Sequence, residues 1–389
     1  MPKILKSSVV QDEFTEKIAK CFDYEFTGES TFTCWDKPDV GDYQIGLIVG
    51  SSGSGKSTLL KEFGETEDIA WDREKSIASN FSSPEEAIDK LSAVGLNSIP
   101  TWCKSYVVLS NGEAFRANLA RRLKDNASID EFTSVVDRNV AKSCCVSISK
   151  YIRNKGLKNI TFASCHRDIV EWLQPDWIFD TDTGELVSRG LVRRPPIKLQ
   201  IYKSDYSAWS LFKRHHYLSG DLNRISKCFV ATWNDEVVAF SANLPLPGRI
   251  PPLFPDDNRN KYREHRLVVL PDYQGMGIGT RFSNAIGEYI LNNGYRYFSK
   301  TAHVRMGEYR NKSPLWRATA TNLADRSKST GSKSRDWHHY RLDTKRICYS
   351  HEYLGEPTNP YRVQYEEWLK SRNVDSKLTA ERYEQVLLF

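Results

Sequence analysis

The sequence contains a glycine-rich segment whose residue types and spacing suit the binding of phosphates. An apolar run at 45–49 leads into GSSGSGKS, which fits the pattern G-x-x-x-x-G-K-[ST]. Its glycines let main-chain N–H groups curl around phosphate oxygens, while a lysine adds positive charge and a serine hydroxyl can ligate Mg²⁺. The pattern predicts a triphosphate site between a strand and a helix, formed by Gly50, Ser51, Gly53, Ser54, Gly55, Lys56, Ser57 and Thr58.

A second group of chemically capable residues follows downstream, in the segment IDEFTSVVD at 129–137. Adjacent carboxylates at the end of a strand can divide the duties of holding a metal ion and activating water. Upstream of them the chain reads LSNGE, where Ser110 is suited to cap a helix. Downstream, a helical stretch at 138–154 and a strand at 159–163 are followed by His166.

In this order, the segments resemble the ABC-type ATPases, which carry an LSGGQ-like signature loop and a DEPTSALD-like run. The resemblance implies Mg²⁺ binding by Ser57 and Asp130, polarisation of the attacking water by Glu131, the D-loop position for Asp137, and contact with the γ-phosphate for His166. It also implies that Ser110, Asn111 and Gly112 close over ATP bound by the opposite copy. We therefore expect a homodimer that sandwiches two ATP molecules.

The chain departs from the ABC pattern at three points, two of which are the separation of only about fifty residues between the glycine loop and LSNGE and the unusually polar residues before Asp130. No glutamine lies between Leu59 and Leu109, so the usual Q-loop residue is missing, with Asp72 and Asn80 as weak substitutes. The aromatic residue that stacks on adenine is also left open, among Phe26, Phe32 and Trp35.

A second glycine loop lies in the other half of the chain, within RLVVLPDYQGMGIGTRF at 266–282, whose first residues, 266–270, are expected to form a strand. A glycine loop between a strand and a helix offers N–H groups to a pyrophosphate. The spacing does not meet the dinucleotide pattern G-x-G-x-x-G. The segment is similar instead to motif A of the GNAT N-acyltransferases. That resemblance implies binding of acetyl-CoA, or another acyl-CoA, by Gln274, Gly275, Met276, Gly277, Ile278 and Gly279, with the main chain near Val269 aligned on the thioester.

Acyl transfer to an amine requires a base for the amine, polarisation of the carbonyl, and an acid for the departing thiolate. By the resemblance, Tyr309 is the candidate acid, after a strand at 297–301. Glu264 and His265 are alternative bases, and at most one of them points into the cleft because neighbours on a strand face opposite sides.

The elements that must position these residues predict an α/β fold of two successive domains. The resemblance to the ABC-type ATPases implies a P-loop ATPase domain over 1–194. An Arg-Arg-Pro-Pro linker then predicts a boundary near 195, followed by an α+β GNAT domain over 195–356. A tail at 357–389 has aromatic residues at helical spacing and is expected to pack on the GNAT domain or on a partner.

Composition limits the class of protein. The 389 residues are 40% hydrophobic and 27% charged, and no apolar run approaches the roughly 20 residues that a membrane helix needs. The N-terminus lacks the apolar stretch of a signal peptide, and the eight cysteines form no CxxC pair. We expect a cytoplasmic protein without a membrane partner, in the host cytoplasm if the protein is viral.

Charge is divided unevenly along the chain. Residues 191–389 hold 32 Lys and Arg against 20 Asp and Glu, a net charge of +12, which leaves a net charge of −6 for residues 1–190. A basic half could meet nucleic acid, or only the phosphates of a cofactor. The segment RSKSTGSKSRDWHHYR at 326–341 combines basic with aromatic residues and would suit a nucleic-acid strand, with a solvated loop as the alternative. By the GNAT resemblance, KRHHYLSG at 213–220 lies where that family builds its acceptor site.

These observations lead to one functional hypothesis with alternatives. The GNAT half has a faint likeness to phage Mom-type proteins, which modify adenine in DNA, through HHYLSG alone. The hypothesis is ATP-gated acyl transfer onto an amine of DNA or RNA. The alternatives are a protein or small-amine N-acetyltransferase, and an ATP-driven clamp that carries a degenerate GNAT binding module.

Overall fold

The computed structural model describes residues 2–64, 66, 68–188, 194–216, 221–248, 250–323 and 348–372. The chain divides into two compact units. The first is Met1–Pro196 together with Pro271–Met276, and the second is Ile197–Leu270 together with Gly277–Phe389. Both units combine helices with β-sheet, in agreement with the α/β class predicted from the sequence.

The first unit alternates strands and helices along the chain. Its strands, within the described ranges, are β1 Pro2–Ser8, β2 Glu29–Trp35, β3 Ile45–Val49, β4 Ser128–Ile129, β5 Ile160–Ser164, β6 Trp177–Asp180 and β7 Glu185–Ser188. Its helices are α1 Glu13–Phe22, α2 Lys56–Leu60, α3 Pro84–Ala93, α4 Ile99–Trp102, α5 Asn111–Arg122, α6 Arg138–Lys155 and α7 Val170–Leu173.

A five-stranded sheet organises the first unit, in the order β4-β5-β3-β6-β7. The first four strands are parallel and β7 is antiparallel to β6. Strands β3 and β5 are buried along their whole length, as expected for central parallel strands covered on both faces. Because the register pairs Val49 with Ser164, and Ile129 with Phe162, the three strand ends meet at one carboxyl edge of the sheet.

The N-terminal segment adds a separate antiparallel pair, β1 with β2, with α1 between them in the chain. Helix α1 begins with a capping box at Asp12 and buries none of its residues. Its apolar face is exposed, including Phe14, Ile18 and Phe22.

The second unit is built on a seven-stranded sheet in the order β13-β14-β12-β11-β10-β9-β8. The strands are β8 Gln200–Ser204, β9 Lys227–Trp233, β10 Glu236–Pro245, β11 Lys261–Val269, β12 Arg296–Thr301, β13 Trp316–Ala318 and β14 Tyr349–Tyr353. The helices, within the described ranges, are α8 Trp209–Phe212, α9 Ile278–Asn292, α10 Val304–Lys312 and α11 Pro360–Ser371. Strands β11 and β12 are parallel, and every other neighbouring pair is antiparallel.

Helix α11 supplies the described part of the expected C-terminal tail. Its Tyr361 ring lies 3.8 Å from the guanidinium carbon of Arg259, and the buried Arg362 donates to the carbonyl of Gly355 at 2.8 Å. These contacts hold α11 on other residues of the second unit. The rest of the tail, the end of KRHHYLSG at 217–220 and the whole of the basic serine-rich segment at 326–341 lie outside the described residues.

None of the helices in the described part of the chain is both long enough and apolar enough to cross a bilayer.

Candidate functional site

The segment Gly50–Ser57 forms a closed loop between β3 and α2. The Lys56 ammonium folds back over the loop and donates to the carbonyl oxygens of Gly50 and Ser51, at 3.0 and 2.5 Å. Gly53 and Gly55 have φ angles of +79° and +91°, which L side chains rarely adopt. The two glycines therefore let the main chain curl, and the Lys56 ammonium is held against its carbonyl oxygens.

Residues after β6 pack against this loop, and sequence reasoning did not identify them. Ser54 and Thr181 share a hydroxyl hydrogen bond of 2.6 Å, and a Cβ on Gly50 would lie 2.1 Å from the Thr181 hydroxyl oxygen. Asp182 accepts hydrogen bonds from the Ser51 N–H at 3.0 Å and the Ser51 hydroxyl at 2.7 Å. The loop is thus supported from β6 as well as from its own strand.

Asp182 is also paired with Arg167, at 2.8 Å. The Ser51 hydroxyl, and then Arg167, lower the pKa of Asp182 to about 2. The side chain of Asp182 is therefore negatively charged where phosphate charge is expected. No sequence pattern indicated it, because the contact joins residues 131 positions apart.

The carboxylates Asp130 and Glu131 follow β4 at the same sheet edge as the loop. Glu131 and Thr133 have φ angles of +48° and +70°, so the chain turns sharply in the left-handed region twice within four residues. Phe132, between them, is fully buried and donates its N–H to the carbonyl of Ala163 at 2.8 Å. The anchored phenylalanine leaves Glu131 exposed and fixes the direction of the turn.

His166 lies at the end of β5, next to that turn. Its Nδ1 is 3.2 Å from the Thr133 hydroxyl. Burial, and then the charge of Arg138, lower the pKa of His166, so the ring is neutral at neutral pH. The structure therefore brings the glycine loop, the two carboxylates and this histidine to one edge of the sheet.

The residues assigned to the signature loop and the D-loop both cap helices. Ser110 caps α5 in a reciprocal capping box with Glu113, with hydrogen bonds of 3.0 and 3.3 Å between side chain and main chain. Asp137 caps α6 and accepts from the N–H groups of Asn139 and Val140 at 2.8 and 3.0 Å. Asn111, Ser110 and Asp137 are exposed, and Gly112 is partly buried.

Three valines close to these caps are exposed, although valine is usually buried. Val107, Val108 and Val135 are 58%, 63% and 59% exposed. Exposed apolar residues beside polar cap residues are the composition expected where another protein surface docks.

The three aromatic candidates for stacking on adenine differ in their surroundings. The Trp35 indole donates to the carbonyl of Thr181 at 2.8 Å and packs edge-on against Phe179. The Phe32 ring lies 3.1 Å from the position of a Cβ on Gly55, beside the glycine loop. Phe26 is partly exposed. Phe32 is therefore the candidate that the structure places against the loop.

In the second unit, β11 and β12 diverge after a short stretch of parallel pairing. Pairing covers Lys261–Arg263 and Arg296–Phe298, whereas β11 continues to Val269. On its other side β11 pairs with β10 through a bulge at Ala242 and Asn243. A gap between two splayed strands can admit an extended ligand chain alongside unpaired main-chain groups.

The second glycine loop follows β11 and ends where α9 begins. Gly275 and Gly277 have φ angles of +86° and +85°, and Gly277 is the N-cap of α9. A Cβ on Gly279 would lie 3.3 Å from the Val269 side chain, so the end of the strand and the first turn of α9 are in contact. Of the six motif residues, Gln274, Gly275 and Met276 belong to the first unit, and Gly277, Ile278 and Gly279 to the second.

Glu264 lies in a buried polar network. Both of its carboxylate oxygens are 3.0 Å from one nitrogen of Arg310, whose side chain is fully buried. Ser283 and Ser299 donate to the same carboxylate at 2.7 and 3.0 Å. The carboxylate is thus engaged by a charge and by two hydroxyls, none of which sequence reasoning singled out.

His265, the alternative base, has different surroundings. Burial, and then the charges of Arg266 and Arg263, lower its pKa to about 4, so the ring is neutral at neutral pH. Its Nε2 is buried without a hydrogen-bond partner among the described residues. Arg266 lies 3.4 Å from Nδ1 and can only donate, so Nδ1 is the acceptor nitrogen of the neutral ring and Nε2 carries its proton.

Tyr309, the expected acid, lies on α10. Its hydroxyl accepts a hydrogen bond from the Asn284 amide at 2.9 Å, and the Asn284 oxygen accepts from the Trp316 indole at 2.8 Å. The chain from Trp316 through Asn284 fixes the orientation of the amide, which leaves the tyrosine proton available to another acceptor.

Of the two histidines in the expected acceptor region, His215 accepts from the Arg214 guanidinium at 3.0 Å. His216 packs edge-on against the ring of Trp209.

Comparison with known proteins identifies one family in this chain. Residues 194–310 match the model of the Acetyltransferase (GNAT) family. A search of curated proteins found no significant match. The C-terminal half thus contains a GNAT domain, as the glycine motif predicted.

Solved structures give similarities of fold. A dimeric bacterial ABC transporter cassette has 15% identity and a TM-score of 0.32, and covers 40% of this chain and 89% of its own. A post-hydrolysis dimer of an ATP-binding cassette, bound to ADP and Pi, has 15% identity and a TM-score of 0.34. That match covers 49% of this chain and 100% of that chain. Naa50 of Arabidopsis thaliana, in complex with a CoA-Ac-MVNAL bisubstrate analogue, has 13% identity and a TM-score of 0.27, covering 40% and 98%.

Proposed function

We propose that the chain is a two-part enzyme in which ATP binding controls CoA-dependent acyl transfer onto an amine. The observation that carries the transferase half is the divergence of β11 from β12 directly before the glycine loop at 274–279. The splayed strands admit an extended acyl-CoA arm, and the loop supplies main-chain donors for its pyrophosphate. Acyl-CoA supplies the activated thioester.

His265 and Tyr309 divide the proton transfers in this proposal. The acceptor amine forms a C–N bond to the thioester carbonyl carbon, and its proton passes to His265. The C–S bond then breaks, and Tyr309 protonates the departing thiolate. Glu264 is assigned to positioning rather than to proton transfer, because Arg310 holds both of its carboxylate oxygens.

The first unit is assigned an ATP site. Lys56 and the amides of Gly50–Ser57 hold the phosphates, and Ser57 with Asp130 holds Mg²⁺. Glu131 orients water, and His166 contacts the terminal phosphate. The convergence of these residues on one sheet edge supports the assignment. Mg²⁺ would neutralise phosphate charge when bound.

A head-to-tail homodimer completes the site in this proposal. Ser110, Asn111 and Gly112 of one copy close over ATP held by the other, and Asp137 lies beside them. The exposed Val107, Val108 and Val135 provide the apolar contact.

We assign the acceptor to nucleic acid because of how charge is distributed along the chain. The half of the chain that contains the GNAT domain has a net charge of +12, against −6 for the first half. A positive surface recruits a phosphate backbone independently of sequence.

Transfer of a labelled acetyl group tests the proposal. The full chain is incubated with ATP, Mg²⁺ and labelled acetyl-CoA together with DNA, RNA or a protein extract, and label is measured in each. We expect label in nucleic acid, and about a hundredfold less with Tyr309→Phe. The exposed Tyr202→Phe is the matched control and should retain full activity.

Each other outcome is informative. Label in protein or small amines alone would replace nucleic acid with the alternative acceptors. Acetyl-CoA binding without transfer to any acceptor would favour an ATP-driven clamp with a degenerate GNAT module.

A further inference from the structure

The segment Pro271–Met276 joins β11 to α9 in the chain, yet it belongs to the first unit. Its last three residues are half of the glycine motif to which the proposed function assigns the acyl-CoA pyrophosphate. Tyr273 and Met276 are 7% and 4% exposed, so the segment is packed rather than loose. Its contacts inside the first unit therefore decide how half of the acyl-CoA loop is held.

Arg116, on α5, joins this segment to the signature loop. The side chain is almost fully buried and donates to the carbonyl of Gly112 at 3.1 Å and to the carbonyl of Pro271 at 2.8 Å. The third guanidinium nitrogen lies 3.8 Å from the Asp272 carboxylate. Because the guanidinium is planar and its donors are fixed relative to one another, movement of Gly112 is passed to Pro271.

Helix α6 holds the segment at two further points. Asn139 donates from its side chain to the Tyr273 hydroxyl at 3.2 Å, and its N–H donates to Asp137 at 2.8 Å. Farther along α6, Ser147 packs directly on Gly275, where a Cβ would lie only 1.7 Å from the serine hydroxyl oxygen. Gly275 has no room to slide along the helix.

The turn after α3 adds a third support. The Asn97 N–H donates to the side-chain oxygen of Gln274 at 3.0 Å. A Cβ on Gly95 would lie 3.1 Å from the Gln274 carbonyl oxygen, so the main chains are close. The first residue of the glycine motif is thus fixed through both its side chain and its main chain.

We propose that Arg116 and Asn139 are positioning residues through which the nucleotide site sets the affinity for acyl-CoA. The inference rests on the proposed function, since it needs both sites. Closure of a second copy over ATP acts on Ser110–Gly112 and on Asp137, which begin or cap α5 and α6. Both helices grip Pro271–Met276, so closure shifts this packed segment as a unit, and acyl-CoA binds more tightly to the shifted arrangement. The coupling is reciprocal by linkage.

Titration calorimetry of the full chain tests the coupling directly. The Kd of acetyl-CoA is measured without nucleotide and with saturating Mg²⁺ and a non-hydrolysable ATP analogue. We expect the analogue to tighten acetyl-CoA binding by at least about fivefold, and acetyl-CoA to tighten analogue binding by the same factor. If both ligands bind but neither changes the Kd of the other, or each weakens the other, the coupling is overturned and the proposed function stays intact. Failure of either ligand to bind would overturn both.

Variants then test the two positioning residues. Arg116→Met and Asn139→Ala should bring the coupling factor towards one, while each ligand still binds alone. Arg121→Met, on the same helix, removes a guanidinium that donates to Ala70 and packs on Trp71, and should preserve the factor. If Arg116→Met does not fold, Arg116→Lys and Asn139→Ala decide the question. If Asn139→Ala and the folded Arg116 variant both keep the coupling factor of the wild type, these residues do not couple the two sites.

Discussion

Asp182 is a carboxylate beside Ser51, in the loop to which the proposed function assigns ATP. It occupies the Ser51 N–H and hydroxyl, and the Ser51 hydroxyl with Arg167 keeps its pKa at about 2. A triphosphate in this loop needs the same N–H group and is repelled by the same carboxylate. In the proposed function, Asp182 therefore competes with ATP until the phosphates displace it.

The competition predicts that Asp182→Ala binds ATP more tightly. Removal of this repelling charge should lower the Kd for ATP roughly fivefold. Calorimetric titration with ATP measures it. Asp180→Ala removes the other carboxylate paired with Arg167 and is the matched control, for which we expect a smaller change. Equal or weaker ATP binding by Asp182→Ala would show that Asp182 is only structural.

His265 makes a prediction about pH. Burial, with Arg266 and Arg263, lowers its pKa from 6.5 to about 4, so the folded protein favours the neutral ring. Its contribution to stability is therefore complete above pH 6.5 and is lost as the pH falls towards about 4. As a base it stays deprotonated across that window.

The pH dependence of kcat/KM for acetyl transfer checks this assignment. For the wild type we expect no acid limb from His265 near pH 6.5, and a limb closer to pH 4. A midpoint near 6.5 that His265→Gln abolishes would contradict the depressed pKa. A His265→Gln variant with unchanged kcat would remove His265 as the base.

Among the secondary-structure elements, α5 and α6 each connect a capped N-terminus with contacts to the segment 271–276. Each begins next to a residue assigned to the ATP site, and each holds the segment 271–276 farther along. A helix transmits displacement because its main-chain hydrogen bonds make it stiff along its axis.

The packing of α6 on the acyl-CoA loop predicts the cost of a small substitution. Gly275→Ala combines a φ of +86° with a Cβ placed 1.7 Å from Ser147, so we expect a loss of unfolding free energy above about 2 kcal/mol. Gly156→Ala, at the C-cap of the same helix, has a φ of +67° and open space, and should lose only about 1 kcal/mol. Urea denaturation compares the two, and equal losses would show that the Ser147 contact is not tight.

The sequence predicted these elements best where a local pattern specified them. The strand and helix around each glycine loop follow from apolar runs and glycine spacing, and α6 was expected over 138–154 and spans Arg138–Lys155. Strand β11 begins at Lys261, whereas the sequence predicted Arg266. The charged residues at the beginning of β11 are not typical of a strand, so the sequence did not indicate where β11 begins. The strand accommodates Glu264 because this residue pairs with Arg310, which lies 46 positions away. Arg116, Asp182 and Arg310 act through such distant contacts, which no local pattern reveals.

For the molecule as a whole, the proposed ATP site requires two copies of the chain. Ser110 and Asp137 cap helices in one copy, but the proposed ATP site needs the signature loop of the other. The exposed valines at 107, 108 and 135 would be buried when the copies close.

The dimer predicts a change of mass with nucleotide. Glu131→Gln should bind ATP without hydrolysing it, and its mass in light scattering should double when ATP and Mg²⁺ are added. Ser110→Arg should bind ATP yet remain a monomer, because the added side chain blocks closure. A Glu131→Gln chain that stays monomeric with ATP bound would refute the sandwich.

The most direct measurement is a crystal structure of the full chain with acetyl-CoA and a Mg²⁺-bound ATP analogue. The account predicts a CoA pyrophosphate within hydrogen-bond distance of the main-chain N–H groups of residues 275–279, with its acyl arm between β11 and β12. It also predicts a triphosphate on Lys56. Acetyl-CoA bound elsewhere, or a loop at 274–279 whose N–H groups face away from the ligand, would contradict the assignment of this chain as an acyltransferase.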